Sequence, residues 1–510
     1  MSSLLKTISS GIQDKRLYYE KTIFPFLKKW SRAGRFATRW ERLDFTSIPK
    51  FGTSSNVFVK NKGELVSRIC IVATLPDIYT PQKNAIDIAG TNFAGPRFGW
   101  TNSVGHALLR NITLSIGGSI VENLDHRLLE MLDEYNTPLE KLPAVNRAIK
   151  RKDNGFGETS FGNETIPTTV IIPIPFWFSR GDFTTPLPID AMRNDDVVIN
   201  VKFNTMNAVY YSDSRNMTTN IFQEDGSRLW DINGSKFYKS DASGTDISGL
   251  YLGNIPQTQK VSPIPNVSMP TTFTLGETYL LAEYIYLDSP EANRFRNTEL
   301  QVPIIQHYIL PPFPNLDRSL VSMPITVKNP VKELYWFAQR IESTPYNAHF
   351  LATHDINKYG HKIPWWPDAT GLDSRQPGFM RGAFVLSNSE PIEGIALVYE
   401  GKYVRFRTEM PALFRAILPS LEQKKTPWVN RYYYNLSFGI NNTETPLSVP
   451  RGEANFGKIK HIRLDLHLKH MRGKFETYAE RVPDMVIYAF AETYNILKIY
   501  DGRAVLMFNY

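Results

Sequence analysis

The chain has 510 residues, a net charge of +8, 42% hydrophobic residues and a single cysteine. That length exceeds one hydrophobic core, and 34 Pro and 31 Gly beside 30 Phe and 25 Tyr favour turns and aromatic strands over helical bundles. Cys70 alone excludes an intrachain disulfide, and no long uninterrupted apolar segment is present, so neither a usual secretory leader nor a membrane-spanning helix is expected.

The charge is concentrated at one end. Residues 1–40 carry nine Lys and Arg against Asp14 and Glu20, which leaves the rest nearly neutral. Residues 1–37 therefore read as a basic arm, in which Lys21, Phe24, Phe26, Lys28, Lys29, Trp30, Arg32, Arg35 and the nearby Arg39 mix apolar and cationic groups suited to an acidic surface. Pro25 limits a continuous helix there.

Strand chemistry follows at Phe36 to Phe45, Asn56 to Val59 and Leu65 to Leu75, with Asn61-Lys62-Gly63 as a turn. The most legible stretch is Trp100 to Tyr135. Ile112, Leu114 and Ile116 alternate with polar residues, Gly117-Gly118 supplies a tight hairpin, and Leu124, Leu128, Met131, Leu132 and Tyr135 then fall on one helical face capped by Asn123 or Asp125.

Further strands are expected at Thr168 to Phe178 and Val197 to Phe203. Residues 204–274 are polar and Pro-punctuated, a surface-projecting insertion that carries the sequons Asn216, Asn233 and Asn266, the candidate glycosylation sites. Tyr279 to Leu287 resumes strand character, and Ile309 to Pro314 marks a linker, since consecutive prolines cannot continue a ladder. Leu320 to Val327, Lys332 to Gln339, Ile392 to Tyr399, Arg431 to Phe438, Ile459 to Lys469, Met485 to Glu492 and Tyr494 to Tyr500 form a second strand set. In it Ile462, Leu464, Leu466 and Leu468 alternate without error against polar residues.

Chemical motifs are weak. Gly452 to Ile459 nearly spells a phosphate loop but lacks the hydroxyl residue and the following helix. His461, His467 and His470 do not share a strand face, so exposed histidines are favoured over a metal site. Lys150-Arg151-Lys152 reads as a solvated face, and no basic-aromatic pattern of a nucleic-acid module occurs. Catalysis has no positive support, and no cofactor is expected.

The words NKGELVSRICIVATLP, VGHALLRNITLSIGGSIVE, NPVKELYWFAQ and YNILKI, in that order, resemble the double jelly-roll major capsid proteins of the nucleocytoplasmic large DNA viruses. The likeness covers nearly all of the chain beyond the arm; it departs at Pro450 to Phe456 and at Tyr399-Glu400-Gly401. It implies an all-β chain of two tandem eight-stranded jelly rolls with long loops and short helices. The divisions are then an arm at 1–37, a first roll at 38–297, a linker at 298–318 and a second roll at 319–510. The implied function is structural, a homotrimeric, pseudo-hexagonal capsomer in the icosahedral virion. Its partners are neighbouring capsomers and, through the inward-facing arm, minor capsid proteins or the internal viral membrane, without sequence-specific nucleic acid. Assembly falls in the host cytoplasm or viral factory. Alternatives are a minor capsid paralogue or a carbohydrate-binding jelly-roll attachment protein.

Overall fold

The structure is a computed structural model describing residues 36–77, 98–151, 168–180, 185–212, 274–316, 318–340, 349–354, 390–427, 431–440, 452–470 and 485–508. The arm up to residue 35, the bulk of the polar insertion and most of the Tyr346 to Gly378 loop lie outside them.

Among the described residues the first half has the strands β1 (Phe36–Asp44), β2 (Ser54–Phe58), β3 (Leu65–Leu75), β4 (Phe98–Trp100), β5 (Leu109–Ile116), β6 (Ser119–Asp125), β7 (Thr168–Pro173), β8 (Val197–Phe203), β9 (Tyr210–Ser212) and β10 (Thr278–Leu287). They pair antiparallel as β1-β10-β3-β7 and β2-β8-β5-β6, with β4 and β9 as a separate pair. Period-two alternation sends Ile69, Ile71 and Ala73 of β3, Leu280 and Ala282 of β10 and Val170 and Ile172 of β7 onto Ile112 and Leu114 of β5 and Ile199 and Val201 of β8. The β5–β6 hairpin turns at Gly117 and Gly118, whose φ values of 56° and 81° suit glycine.

Helix α1 (Val104–Leu108) precedes β5, while α2 (His126–Asn136) and α3 (Leu142–Ile149) connect β6 to β7. The Asp125 carboxylate accepts the Leu128 amide at 2.7 Å and so fixes the start of α2. Helix α4 (Ser289–Asn297) follows β10.

The second half comprises β11 (Leu300–Ile309), β12 (Phe313–Pro314), β13 (Leu320–Pro324), β14 (Pro330–Arg340), β15 (Ile392–Tyr399), β16 (Tyr403–Thr408), β17 (Tyr434–Ser437), β18 (Ala454–Asn455), β19 (Arg463–Leu468), β20 (Met485–Tyr500) and β21 (Arg503–Leu506). Its main orders are β11-β20-β14-β17 and β13-β19-β15-β16. A π-helical turn, Leu413–Ile417, and α5 (Leu418–Leu421) join β16 to β17. Trp336 lies parallel to Tyr434 (5.9 Å between centroids) and edge-on to Phe414 (5.4 Å) at the centre of this core, with Leu464, Leu466 and Ile395 from the facing sheet.

Renumbering the eight main strands within each half gives the same pair of orders twice, 1-8-3-6 facing 2-7-4-5. That is the jelly-roll topology, and the chain is a double jelly roll.

The stretch expected as a linker needs correction. Residues 298–318 hold β11 and β12, both laddered to β20, and β11 is the first strand of the second roll. Its edge position tolerates Pro303, which had masked its strand character. Strand β20 is continuous over the point where two shorter strands were expected.

Candidate functional site

Among the described residues no His, Cys, Asp or Glu group could hold a metal ion, and no helix is long and apolar enough to cross a membrane. The phosphate-loop-like stretch forms β18 and a turn rather than a strand-to-helix junction. The chemically unusual region is the seam between the rolls, where α2 and β6 of the first lie on the outward face of the β11-β20-β14-β17 sheet of the second.

That sheet face is dictated by alternation in β14. Leu334, Trp336 and Ala338 enter the second core, so Tyr335 and Phe337 face the first roll and join its hydrophobic cluster, as do Tyr433 and Phe490. From α2, Tyr135 donates its hydroxyl to the Tyr433 carbonyl at 2.7 Å, and the Arg127 guanidinium sits 4.2 Å above the Tyr488 ring.

Within this apolar frame charges are buried in pairs. Glu130 is fully buried; it accepts Arg151 (2.8 Å), His106 Nδ1 (2.6 Å) and Ser103 (3.0 Å) from its own roll and Arg431 Nη2 (3.0 Å) from the other. Glu134, one helical turn on, binds Arg431 and also Lys425 Nζ at 3.3 Å. Burial would raise the Glu130 carboxyl, but Arg151 and Arg431 outweigh it and hold it well below the usual carboxylate range.

A second network centres on Glu492 of β20. It accepts Lys332 Nζ (2.9 Å) from β14 and Arg180 Nη1 (2.9 Å) from the first roll. Burial opposes ionisation here too, and Arg180 with Lys332 keeps the carboxyl well below its ordinary value. Neighbouring Glu333 accepts Lys424, Asn435 Nδ2 (3.0 Å) and the Tyr335 hydroxyl (2.7 Å). Glu122 of β6 takes the His307 amide (3.0 Å) and Nδ1 (3.1 Å), and Nε2 lies 2.7 Å from Arg180 Nη2 and 3.5 Å from the Glu492 carboxylate. Gln306 donates to the Val121 carbonyl at 2.7 Å.

Each network thus spans both rolls. Removing one partner of a buried pair strands a charge in low dielectric at about 3–5 kcal/mol, so any displacement of one roll against the other that parts these pairs is costly. The seam binds, aligns and excludes water; it holds no arrangement for chemistry.

Of the residues expected to contact an inner surface, Lys21, Phe24, Phe26, Lys28, Lys29, Trp30, Arg32 and Arg35 lie outside the described residues, as do Asn216, Asn233 and Asn266. Arg39 belongs to β1, paired in register with Tyr284 and bonded to Glu41 at 2.8 Å, so the sheet holds it in place. The sequon at Asn435 is buried inside the Glu333 network. Sequence reading missed the seam. Its available signals were Glu130 and Glu134 at helical spacing among apolar residues, and Glu333 and Glu492 inside apolar strands.

Two jelly rolls locked by a buried ionic seam place the chain in the double jelly-roll class. A solved structure of the PBCV-1 virus capsid aligns over 95% of this chain and all of that one (TM-score 0.65, 15% identity). The Faustovirus major capsid protein aligns over 94% and 93% (TM-score 0.59, 11% identity). "Probable capsid protein 4" of Acanthamoeba polyphaga mimivirus is 20% identical over 66% of this chain and 72% of its own length. The major capsid protein of Pyramimonas orientalis virus is 26% identical over 39% and 46%. Residues 24–240 match the family described as major capsid protein N-terminus, and residues 291–505 match large eukaryotic DNA virus major capsid protein. The chain belongs to the major capsid proteins of the nucleocytoplasmic large DNA viruses, a structural and not an enzymatic family. It is a virion component that assembles with other capsid subunits.

Proposed function

We propose that three copies of the chain close into a ring of six jelly rolls, a pseudo-hexagonal capsomer that tiles an icosahedral shell beside neighbouring capsomers. The supporting observation is the repeated 1-8-3-6 and 2-7-4-5 strand order joined by a head-to-tail seam. A heterologous contact repeated through a closed rotation makes a ring, and two similar rolls per chain make three chains imitate six subunits. In this reading the first roll ends with α4 and the second begins at Leu300.

The basic arm points into the shell, where its cationic and aromatic residues meet minor capsid proteins or the anionic headgroups of an internal membrane; the charge of residues 1–40 supports this. The polar insertion projects outward with Asn216, Asn233 and Asn266 available for sugars. Assembly in the host cytoplasm or viral factory fits a chain with one thiol and no disulfide.

Light scattering on the eluting full-length protein tests the central claim. A mass three times the 58.3 kDa of the chain is expected. A monomer at every accessible concentration overturns it.

A further inference from the structure

Three connections between strands of the second roll come together at one end of it. The turn between β13 and β14 carries Lys328, the tight turn between β15 and β16 carries Lys402, and the run from β18 to β19 carries Lys458 and Lys460. The Glu400 amide donates to the Lys460 carbonyl at 2.9 Å, the Gly401 amide to the His461 carbonyl at 3.3 Å, and the Ile325 amide to the Ile462 carbonyl at 2.9 Å. A Cβ on Gly457 would stand only 2.5 Å from the Lys328 carbonyl, so the third connection lies directly against the first.

All four lysines are exposed, and none has an ion-pair partner among the described residues. Lys402 Nζ rests 4.9 Å from the centre of the Tyr403 ring, itself 56% exposed, and the half-buried Ile459 separates Lys458 from Lys460. The acids on the same stretches are Glu400 and Glu453, so cations are in excess. The matching connections of the first roll are balanced instead. There Lys62 bonds Glu41 at 3.1 Å, Arg193 and Arg296 both bond Asp190, and Asp195 and Asp196 stand close by in the chain.

The first roll has the basic arm in their place, and the arm joins the fold at the same end of the molecule. Phe36, where β1 begins, pairs with Leu287 just ahead of α4, and Arg296 of α4 reaches Asp190. Asn194 then donates its side chain to the Asp501 carbonyl at 3.0 Å, where β20 turns back into β21. That end of β20 is the end at which β14 starts after Lys328, since Val331 is in register with Thr493 and Arg340 with Met485.

We infer that Lys328, Lys402, Lys458 and Lys460 form a second contact with an anionic lipid surface, made by the folded body of the second roll alongside the arm. Unpaired ammonium groups on separate turns meet a diffuse layer of anionic headgroups without needing a fixed geometry, and each adds affinity at short range. Tyr403 and Ile459 supply apolar area at the headgroup boundary. None of the three connections forms a helix that could enter a nucleic-acid groove. The inference goes beyond the reading of the arm and does not depend on the trimer.

Co-sedimentation of the full chain with phosphatidylcholine vesicles containing about 30 mol% phosphatidylserine tests it. A variant combining Lys328→Ala, Lys402→Ala, Lys458→Ala and Lys460→Ala should bind at least about tenfold more weakly, and the same four positions changed to Arg should bind as the parent does. All four side chains are exposed, so melting temperatures should stay within about 3 °C of the parent; if the Ala variant melts lower, Gln replaces Ala under the same criterion. Vesicle binding unchanged by the Ala variant overturns the inference, and if the arm variant with Lys28, Lys29, Arg32 and Arg35 changed to Glu still loses binding, the arm's contact stands alone. Equal binding of the parent to vesicles of phosphatidylcholine alone overturns the electrostatic contact. A parent that binds neither kind of vesicle overturns both this inference and lipid as the arm's partner. An Ala variant that keeps its vesicle binding but loses binding to a random DNA duplex overturns lipid in favour of nucleic acid.

Discussion

Arg431 of the second jelly roll lies between two carboxylates of a single helix of the first, 3.0 Å from Glu130 and also paired with Glu134. Because Arg151 already neutralises Glu130 from its own roll, Arg431 is the group that ties this charge across the seam. Arg431, Tyr135 and Tyr433 are all buried, so the pair is shielded from water.

Arg431→Ala should therefore destabilise the chain by about 3 kcal/mol, since it leaves Glu134 with the Lys425 contact and removes one of Glu130's cations. Denaturant unfolding would measure it. A loss under about 1 kcal/mol would mean that the seam does not depend on this pair.

Acid should loosen the same seam through two histidines, one from each roll. His126 and His349 lie edge to face at 5.2 Å, and His349 donates Nε2–H to the Ala208 carbonyl at 2.6 Å. Burial, reinforced by Arg127, lowers His126 well below its ordinary value and His349 to about 4. The unfolded chain then binds more protons between pH ~6.5 and ~4, so stability falls as pH drops through that window, by up to about 1.4 kcal/mol per unit for each ring. His307 has the opposite sign: burial lowers it, but Glu122 and Glu492 win, and its contribution is lost as pH rises through its raised value. His349→Gln keeps a donor for Ala208 and should flatten the decline in melting temperature between pH 6.5 and 4.5. An unchanged slope would exclude the pair as its source.

The hairpin glycines separate two costs. A Cβ at Gly117 would meet the Asp195 carboxylate at 2.8 Å, and Asp195 accepts the Ala504 amide of β21 at 2.7 Å, whereas Gly118 has open space. Both have positive φ. Gly118→Ala should cost about 1 kcal/mol of backbone strain and Gly117→Ala distinctly more, read from chemical denaturation. Equal losses would show that the Asp195 contact carries no weight.

Deleting residues 1–30 should leave the proposed trimer intact and impair shell assembly. Replacing Lys28, Lys29, Arg32 and Arg35 with Glu should abolish flotation with anionic vesicles. Loss of soluble trimer on truncation would make the arm part of the fold, and flotation unchanged by the replacements would remove lipid as its partner.

What could be read from the chain alone follows from where burial is one-sided. Strands β19 and β5 alternate cleanly because one face meets a core and the other is open to water. Strand β16 was not legible: as an edge strand bearing Arg405 and Arg407 it is exposed along most of its length, so no period appears. Strand β11 was hidden by Pro303 and by Gln306-His307, whose polarity is spent on β6. The seam could not be assembled from sequence, since Glu130 and Arg431, or Arg180 and Glu492, are joined only by tertiary structure.

Strand β20 serves two masters over sixteen residues: Met485, Ile487, Ala489 and Ala491 enter the second core, while Phe490, Leu497 and Ile499 join the cluster of the first roll. A hinge between the rolls would have to break that rod. Each polypeptide therefore behaves as one stiff tile, and the curvature of a closed shell has to be absorbed at joints between polypeptides.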